Sequence, residues 1–313
     1  GDDAMVLASG MAAATCVFMA LTPGDHVVAP KVMYWSLRNW LDQTARRWGL
    51  DVTFVDTDSP ADLQAAVIKG KTKLVWIETP ANPMWSVTDI AQAATIAHEA
   101  GAQLAVDSTV ATPVHTCPIS FGADYVMHSA TKYLNGHSDV IAGALITAKK
   151  DTLWENMRQN RGQMGAVLGP FEAIQLLRGM RTLFLRVRQS SQSAQQIAET
   201  LRSHNAISEV LYPGLPDFPG HDIAARQMKD GFGGMLSIRL KAGEAAAIAT
   251  AAHVQLWHRA TSLGGVESLL EHRGSIEGAG SPVPLDLLRL SVGIEDPEDL
   301  ISDLNDALNR ATT

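Results

Sequence analysis

The sequence predicts an α/β fold with a mostly parallel sheet, followed by a smaller C-terminal α/β domain. From Ala4 to about Ala148, short runs rich in Val, Ile and Leu alternate with longer amphipathic stretches. This is the pattern of βα units that pack helices on a sheet. A length of 313 residues suggests two domains. We place them at residues 1–177 and 178–313.

The predicted strands of the first domain are apolar runs with little polar alternation, as expected of strands covered on both faces. They lie at 26–29, 51–55, 73–77, 103–106, 125–128 and 141–147. Helices are predicted at 11–21, 34–48, 60–69, 88–100 and 151–162. We expect Thr88 to be the N-cap of the fourth helix and Gly101 its C′ residue, because those residue types favour these positions.

The pattern changes near Gly169. Segments 171–177 and 182–203 have helical character with no strand between them, so we expect the longer one to connect the two domains. The smaller domain has predicted strands at 231–240, 253–257 and 288–292, and a closing helix at 297–309.

The charge balance argues against several classes of partner. Lys and Arg number 25 against 33 Asp and Glu, a net charge of −8. Such an acidic chain without basic clusters lacks the electrostatic footprint of a nucleic-acid binder, and anionic membranes are equally poor partners. No apolar run approaches the roughly 18 residues of a membrane helix, and the first residues are acidic where a signal peptide is basic. We expect a cytoplasmic protein.

Cysteine and histidine patterns give no metal or disulfide signal. Cys16 and Cys117 are too few for a disulfide framework and lack zinc-ligand spacing, so both are predicted to be buried thiols. The ten histidines show no HExxH spacing, and we expect no metal. There is also no GxGxxG after a strand and no GxxxxGK[ST], which argues against a generic nucleotide-binding protein.

Three segments place chemistry at the ends of predicted elements. Lys132 follows an apolar strand and Asp107 ends another, so both lie where open α/β folds bind ligands. Gly10 stands at a helix start, where free backbone N–H groups bind anions. A phosphate cradle, a carboxylate and a lysine amine are the parts that a pyridoxal phosphate (PLP) site needs.

Six segments, in one order along the chain, carry a resemblance to a known family. They are 9–13 (SGMAA), 78–83 (ETPANP), 106–109 (VDST), 129–139 (SATKYLNGHSD), 262–268 (SLGGVES) and 288–295 (LRLSVGIE). On these motifs the chain resembles the cysteine and methionine metabolism family of PLP enzymes, which includes cystathionine γ-synthase, cystathionine γ-lyase, cystathionine β-lyase and methionine γ-lyase. The resemblance implies the aminotransferase-like fold (fold type I) and a homotetramer built from dimers with shared active sites.

The resemblance also implies a role for each site residue. Lys132 holds PLP covalently and moves protons, and Asp107 pairs with the pyridinium nitrogen. Arg289 binds the substrate α-carboxylate bidentately, with Ser262 nearby. The remaining implied contacts are backbone N–H groups of Gly10 and Met11 and hydroxyls of Ser129 and Thr131 on the phosphate, Tyr34 stacked on the ring and assisting catalysis, and Asn82 and Thr109 beside the ring.

The sequence departs from the family pattern in four places. Family members carry an N-terminal arm with a Tyr-x-Arg pair, and the sequence begins nine residues before Gly10, without that arm. We therefore expect a fragment or the ordered part of a longer chain. Trp35 follows Tyr34 where many members have glycine, and we expect it to reshape the distal pocket. Thr261 replaces a Glu found in several γ-acting members, so a distal ammonium group lacks that carboxylate. Leu263 stands where enteric-type β-lyases carry Trp, which favours γ-chemistry.

The leading functional hypothesis is a PLP-dependent lyase or transferase acting at the γ-carbon of an amino acid, by elimination or replacement. The leaving atom is sulfur, as in cystathionine, or an activated oxygen, as in a homoserine derivative or canavanine. The alternative within the family is a cystathionine β-lyase, which yields pyruvate. A catalytically silent scaffold homologue is the alternative from another class.

Overall fold

The computed structural model describes residues 1–277 and 283–311, which form two sheets flanked by helices. The first sheet has seven strands, all within the N-terminal half of the chain. They are β1 (Asp3–Leu7), β2 (His26–Pro30), β3 (Asp51–Val55), β4 (Thr72–Glu78), β5 (Gln103–Asp107), β6 (Tyr125–His128) and β7 (Gly143–Thr147).

The first sheet is mostly parallel, as the sequence predicted. Its strand order is β1-β7-β6-β5-β4-β2-β3. Strands β2 to β6 pair in parallel, whereas β7 is antiparallel to both β1 and β6. The carboxyl ends of β4, β5 and β6 therefore meet at one edge of the sheet, where ligands bind in open α/β folds.

Helices connect and cover these strands. Their bounds are α1 (Gly10–Met19), α2 (Trp35–Trp40), α3 (Arg46–Trp48), α4 (Pro60–Ala66), α5 (Ile90–Glu99), α6 (Thr112–His115), α7 (Thr152–Gln163), α8 (Pro170–Met180) and α9 (Leu183–Leu201). A π-helical turn joins α2 to α3, and a 3₁₀ turn follows α6.

Both faces of the first sheet are buried, which explains its uninterrupted apolar strands. Val27 and Ala29 of β2 pack into one hydrophobic cluster, and Val28 between them packs into another. Successive side chains of a strand point to opposite faces, so each face carries its own core. The two cores leave the strand ends free to carry polar groups.

The second sheet has five strands in the order β10-β11-β12-β9-β8. Its strands are β8 (Ile207–Leu211), β9 (Met235–Leu240), β10 (His258–Arg259), β11 (Leu269–His272) and β12 (Leu287–Ser291). Its helices are α10 (His221–Gln227), α11 (Gly243–His253), α12 (Arg273–Glu277) and α13 (Pro297–Ala311). The predicted smaller α/β domain is present, while the boundary at residue 177 stays a prediction.

Three predictions about local structure were wrong. Of the segment predicted as a strand at 253–257, His253 is the last residue of α11 and the rest is the loop after it, where Asp303 accepts hydrogen bonds from the backbone of Gln255 and Leu256. The N-cap of α5 is Asp89, whose side chain accepts from Gln92 N, whereas the Thr88 amide donates to Thr79. The strand predicted from residue 231 begins only at Met235.

The cysteine prediction was half right. Cys16 is buried in the core, and burial raises its thiol pKa to about 11. Cys117 is exposed, because it lies in the loop between α6 and the 3₁₀ turn. Within residues 1–277 and 283–311, no helix has both the length and the apolar character needed to cross a bilayer.

Candidate active site

A cavity of about 320 Å³ opens at the carboxyl ends of β4, β5 and β6. Its walls bring together side chains that are far apart in the sequence. All nine residues predicted to contact the cofactor line it, namely Gly10, Met11, Tyr34, Asn82, Asp107, Thr109, Ser129, Thr131 and Lys132. Ser262 and Arg289 lie just behind this wall and reach it through hydrogen bonds.

One end of the cavity is formed by the start of α1 and the segment after β6. Ser9 caps α1 by accepting from Ala12 N, and the amides of Gly10 and Met11 lie in the first turn, where helices have no carbonyl partners of their own. A Cβ on Gly10 would lie 2.6 Å from Ser129 Oγ. Glycine is therefore required for this close approach, which gathers two amides and a hydroxyl.

The Thr131 hydroxyl, predicted to bind the phosphate, makes two hydrogen bonds to the backbone of Ala142. It donates to Ala142 O at 3.1 Å and accepts from Ala142 N at 3.0 Å. Thr131 therefore ties the lysine-bearing segment to the start of β7. For the hydroxyl to donate to a phosphate, its proton must turn away from Ala142 O.

Asp107 at the end of β5 is held by its neighbour Thr109. The Thr109 amide and hydroxyl both donate to Asp107 Oδ1, at 3.0 and 2.6 Å, and the Thr109 hydroxyl accepts from Ser129 N at 2.8 Å. Burial raises the pKa of Asp107 to about 6, while the Thr109 hydrogen bonds lower it. These hydrogen bonds through Thr109 fix the Asp107 carboxylate relative to the Ser129 backbone. A cationic partner would favour the ionised form of Asp107.

Glu78 is a second buried carboxylate, which the sequence reasoning quoted in a motif but did not assign. It lies opposite Asp107 in the β4–β5 register. Its two oxygens accept from the backbone amides of Tyr34, at 2.8 Å, and Asn82, at 3.0 Å. Burial and the Asp107 carboxylate raise its pKa. A carboxylate closing an apolar strand, the signal that identified Asp107, also marked Glu78.

Lys132 lines the cavity and is partly buried. Its Nζ donates to Ser262 Oγ at 3.3 Å. Burial, assisted by the positive charge of Arg289, lowers the pKa of Lys132 to about 8. The neutral, nucleophilic form of this amine is therefore much more populated near physiological pH than in an ordinary lysine.

Arg289 on β12 is buried beside the cavity. Its Nη1 donates to Asn82 Oδ1 at 3.3 Å, and its Nη2 donates to the carbonyls of Thr261, at 2.6 Å, and Ser262, at 2.9 Å. The Thr261 backbone thus helps to orient the guanidinium, although its side chain is not the Glu found in several family members. Arg289 joins the second sheet to the β4 loop of the first.

Tyr34 lines the cavity, whereas Trp35, the next residue, does not. Tyr34 is 40% exposed and directly precedes α2. The Trp35 ring meets it edge-on, with centroids 6.4 Å apart. Trp35 itself lines a separate small crevice with Asn82 and Pro83, so its contact with the main cavity is through Tyr34. Leu263 lines the main cavity, as the motif position implied.

Comparison with known proteins decides the family. The family model described as "Cys/Met metabolism PLP-dependent enzyme" matches residues 1–309. The chain belongs to this family. Cystathionine γ-synthase of Mycobacterium tuberculosis is 46% identical over 98% of the chain and 80% of that protein. Membership confirms the resemblance read from the six motifs and makes the chain a PLP-dependent enzyme.

Solved structures of the Cys/Met metabolism family have the same fold. The crystal structure of metB from Corynebacterium glutamicum matches with a TM-score of 0.94 and 43% identity, over 98% of this chain and 80% of that one. Apo CalE6, a methionine γ-lyase from Micromonospora echinospora, matches with a TM-score of 0.91 and 37% identity, over 97% and 81%. These similarities confirm the predicted aminotransferase-like fold.

The residues present fit the PLP that the family requires. Gly10 lies so close to Ser129 that a Cβ would clash, and this approach brings the Ser129 hydroxyl next to the amides at the start of α1. A buried carboxylate, Asp107, and a lysine amine of lowered pKa line the same cavity. Within the described part of the chain, no group of three or more His, Cys, Asp or Glu is placed to hold a metal ion.

Proposed function

We propose that this chain is a PLP-dependent lyase or transferase that acts at the γ-carbon of an amino-acid substrate. The observation that carries the proposal is one cavity in which Lys132 lies with Asp107 and is linked through Ser262 to Arg289. The leaving atom is sulfur, as in cystathionine, or an activated oxygen. Leu263 in the cavity wall, in place of a bulky indole, supports γ-chemistry.

Different residues of the cavity would bind different parts of PLP. Lys132 Nζ would bond covalently to PLP, and the amides of Gly10 and Met11 with the Ser129 and Thr131 hydroxyls would bind its phosphate. Asp107 would pair with the ring nitrogen, with Tyr34, Asn82 and Thr109 around the ring. When bound, PLP draws electrons away from the substrate Cα.

Lys132 is the proposed base at two carbon atoms. Its amine removes the proton from the substrate Cα and then one from Cβ, since a γ-substituent leaves only after both are lost. The hydrogen bond to Ser262 Oγ holds the amine toward the substrate side of the cavity. Arg289 binds the α-carboxylate, because a guanidinium matches a carboxylate bidentately. Tyr34 helps to activate the incoming substrate amine.

Hydrogen exchange in D₂O tests the proposed γ-chemistry with a substrate analogue that has no leaving group on its γ-carbon. The PLP-loaded protein is incubated with L-2-aminobutyrate, and exchange at Cα and Cβ is followed by NMR. We expect deuterium at both carbons, since Lys132 must reach both. Exchange at Cα alone would contradict γ-chemistry and favour the β-lyase alternative.

The pKa of Lys132 predicts how PLP attachment depends on pH. We expect the attachment rate to the apo-protein to rise with pH up to about 8 and then level off, because the neutral amine reacts and burial lowers the Lys132 pKa to about 8. The rate is measured from the visible absorbance of PLP bonded to an amine, across about pH 6 to 10. A rate that still climbs steeply above about pH 9 would indicate an ordinary lysine.

We further infer a homotetramer built from dimers. Support comes from an exposed apolar row on α8 and the start of α9, formed by Phe171, Ile174, Leu177 and Leu185, which are 60–73% exposed. Such patches are typical of protein interfaces. Light scattering of the PLP-loaded protein tests this state, and a catalytically competent monomer would overturn it.

A further inference from the structure

Arg289 belongs to a buried cluster of three charged side chains, with Glu271 and Arg273. Glu271 of β11 lies directly opposite Arg289 in the β11–β12 register, and its Oε2 is 2.6 Å from Arg289 Nη2. Arg273, two residues further along, places its Nη1 3.2 Å from Glu271 Oε1. The three side chains are only 3–4% exposed. Sequence reasoning assigned no role to Glu271 or Arg273.

The cluster touches the proposed substrate site. Arg289 Nη1 lies 3.3 Å from Asn82 Oδ1, which lines the main cavity. The charges of Arg289, Glu271 and Arg273 all act on the Lys132 amine and change its pKa. The cluster is therefore close enough to influence any charged group bound beside Lys132.

Arg273 changes the net charge that the cluster presents to a substrate carboxylate. Glu271 alone would nearly cancel the positive charge of Arg289, and a substrate carboxylate arriving there would also meet the Glu271 carboxylate. Burial strengthens both effects, because screening by water is weak there. Arg273 Nη1 donates to both Glu271 oxygens, at 3.2 and 3.3 Å, and with it the three side chains together carry one net positive charge. A positive charge on Arg289 that Glu271 does not cancel favours binding of an incoming carboxylate.

We propose that Arg273 is a positioning residue for substrate recognition, which neutralises Glu271 so that Arg289 keeps its charge available for the α-carboxylate. This inference rests on the proposed function, in which Arg289 binds that carboxylate. It makes the affinity for carboxylate-bearing amines depend on a residue outside the cavity wall.

Two amines that differ in the carboxylate test the proposal. L-alanine and ethylamine are titrated onto PLP-loaded protein, and their dissociation constants are read from the absorbance change. For Arg273→Met we expect the dissociation constant of L-alanine to rise about tenfold, which corresponds to about 1.4 kcal/mol of binding free energy. We expect ethylamine, which lacks the carboxylate, to bind as in the wild type. Arg273→Lys keeps the charge and should retain most of the L-alanine affinity.

Arg239→Met is the matched control, because Arg239 lies on β9 of the same sheet and pairs with Asp286 away from the cavity. It should leave both dissociation constants unchanged. Equal weakening of both amines by Arg273→Met, or none, would overturn the proposal. Arg289→Lys separates failure of this inference from failure of the proposed function. If Arg289→Lys selectively weakens L-alanine binding while Arg273→Met does not, only the role of Arg273 fails. If Arg289→Lys does not selectively weaken L-alanine binding, the proposed role of Arg289 in binding the α-carboxylate fails as well.

Discussion

Lys132→Ala is expected to abolish turnover, with a loss of at least about 10⁴-fold, the upper range for a positioned acid–base group. The amine is both the proposed attachment point of PLP and the base at Cα and Cβ. Turnover is measured as oxoacid release from L-cystathionine, and covalent attachment by the visible absorbance of the protein–PLP bond. We expect both signals to disappear.

The fold should survive this change, because Lys132 Nζ makes one hydrogen bond of 3.3 Å, to Ser262 Oγ. Circular dichroism and thermal unfolding of the Ala variant provide the control. A folded variant that keeps more than about one hundredth of the activity would assign the base to another residue. A wild-type protein that never attaches PLP would instead support the silent-scaffold alternative.

Asp107→Asn is the change with the next largest expected effect, a loss of about 10²- to 10³-fold in kcat, comparable with removing one preorganised electrostatic contact. Asn keeps the size of the side chain and an oxygen that can accept from Thr109, but it carries no negative charge. The ring nitrogen of PLP then loses the partner that keeps it protonated. Steady-state kinetics with saturating PLP measure the effect.

Asp51→Asn is a matched control on the same sheet. Asp51 starts β3 and pairs with Lys71 in an exposed ion pair 2.7 Å long. Exposed pairs contribute little, so kcat should not change. If Asp107→Asn retained wild-type kcat with full PLP content, Asp107 would be a strand-end cap and not an electronic partner of the ring.

The first sheet was predictable because its signals are local. Buried parallel strands such as β5 appear as continuous apolar runs, and functional carboxylates such as Asp107 directly follow them. Strand β1 was missed because its residues show no polar alternation and only Leu7 is fully buried, with Ala4 exposed. The second sheet was less predictable, since β10 has only the two polar residues His258 and Arg259 and β11 ends in Glu271 and His272, so neither is an apolar run.

Site residues were predictable where they belong to a sequence motif. They were not predictable where their role depends on contacts between neighbouring strands. The nine cofactor residues belong to motifs or, for Tyr34, to the family context, and the structure gathers them around one cavity. Glu271 and Arg273 gave no such signal, because their importance comes from the register that sets Glu271 opposite Arg289. A single sequence does not show that register.

The most direct test of γ-specificity is the oxoacid released from L-cystathionine by the PLP-loaded protein, with Lys132→Ala as the blank. The product is identified by chromatography of a stable derivative. We expect 2-oxobutanoate, the product of bond cleavage at the γ-carbon. Pyruvate as the main product would contradict it and establish β-elimination instead.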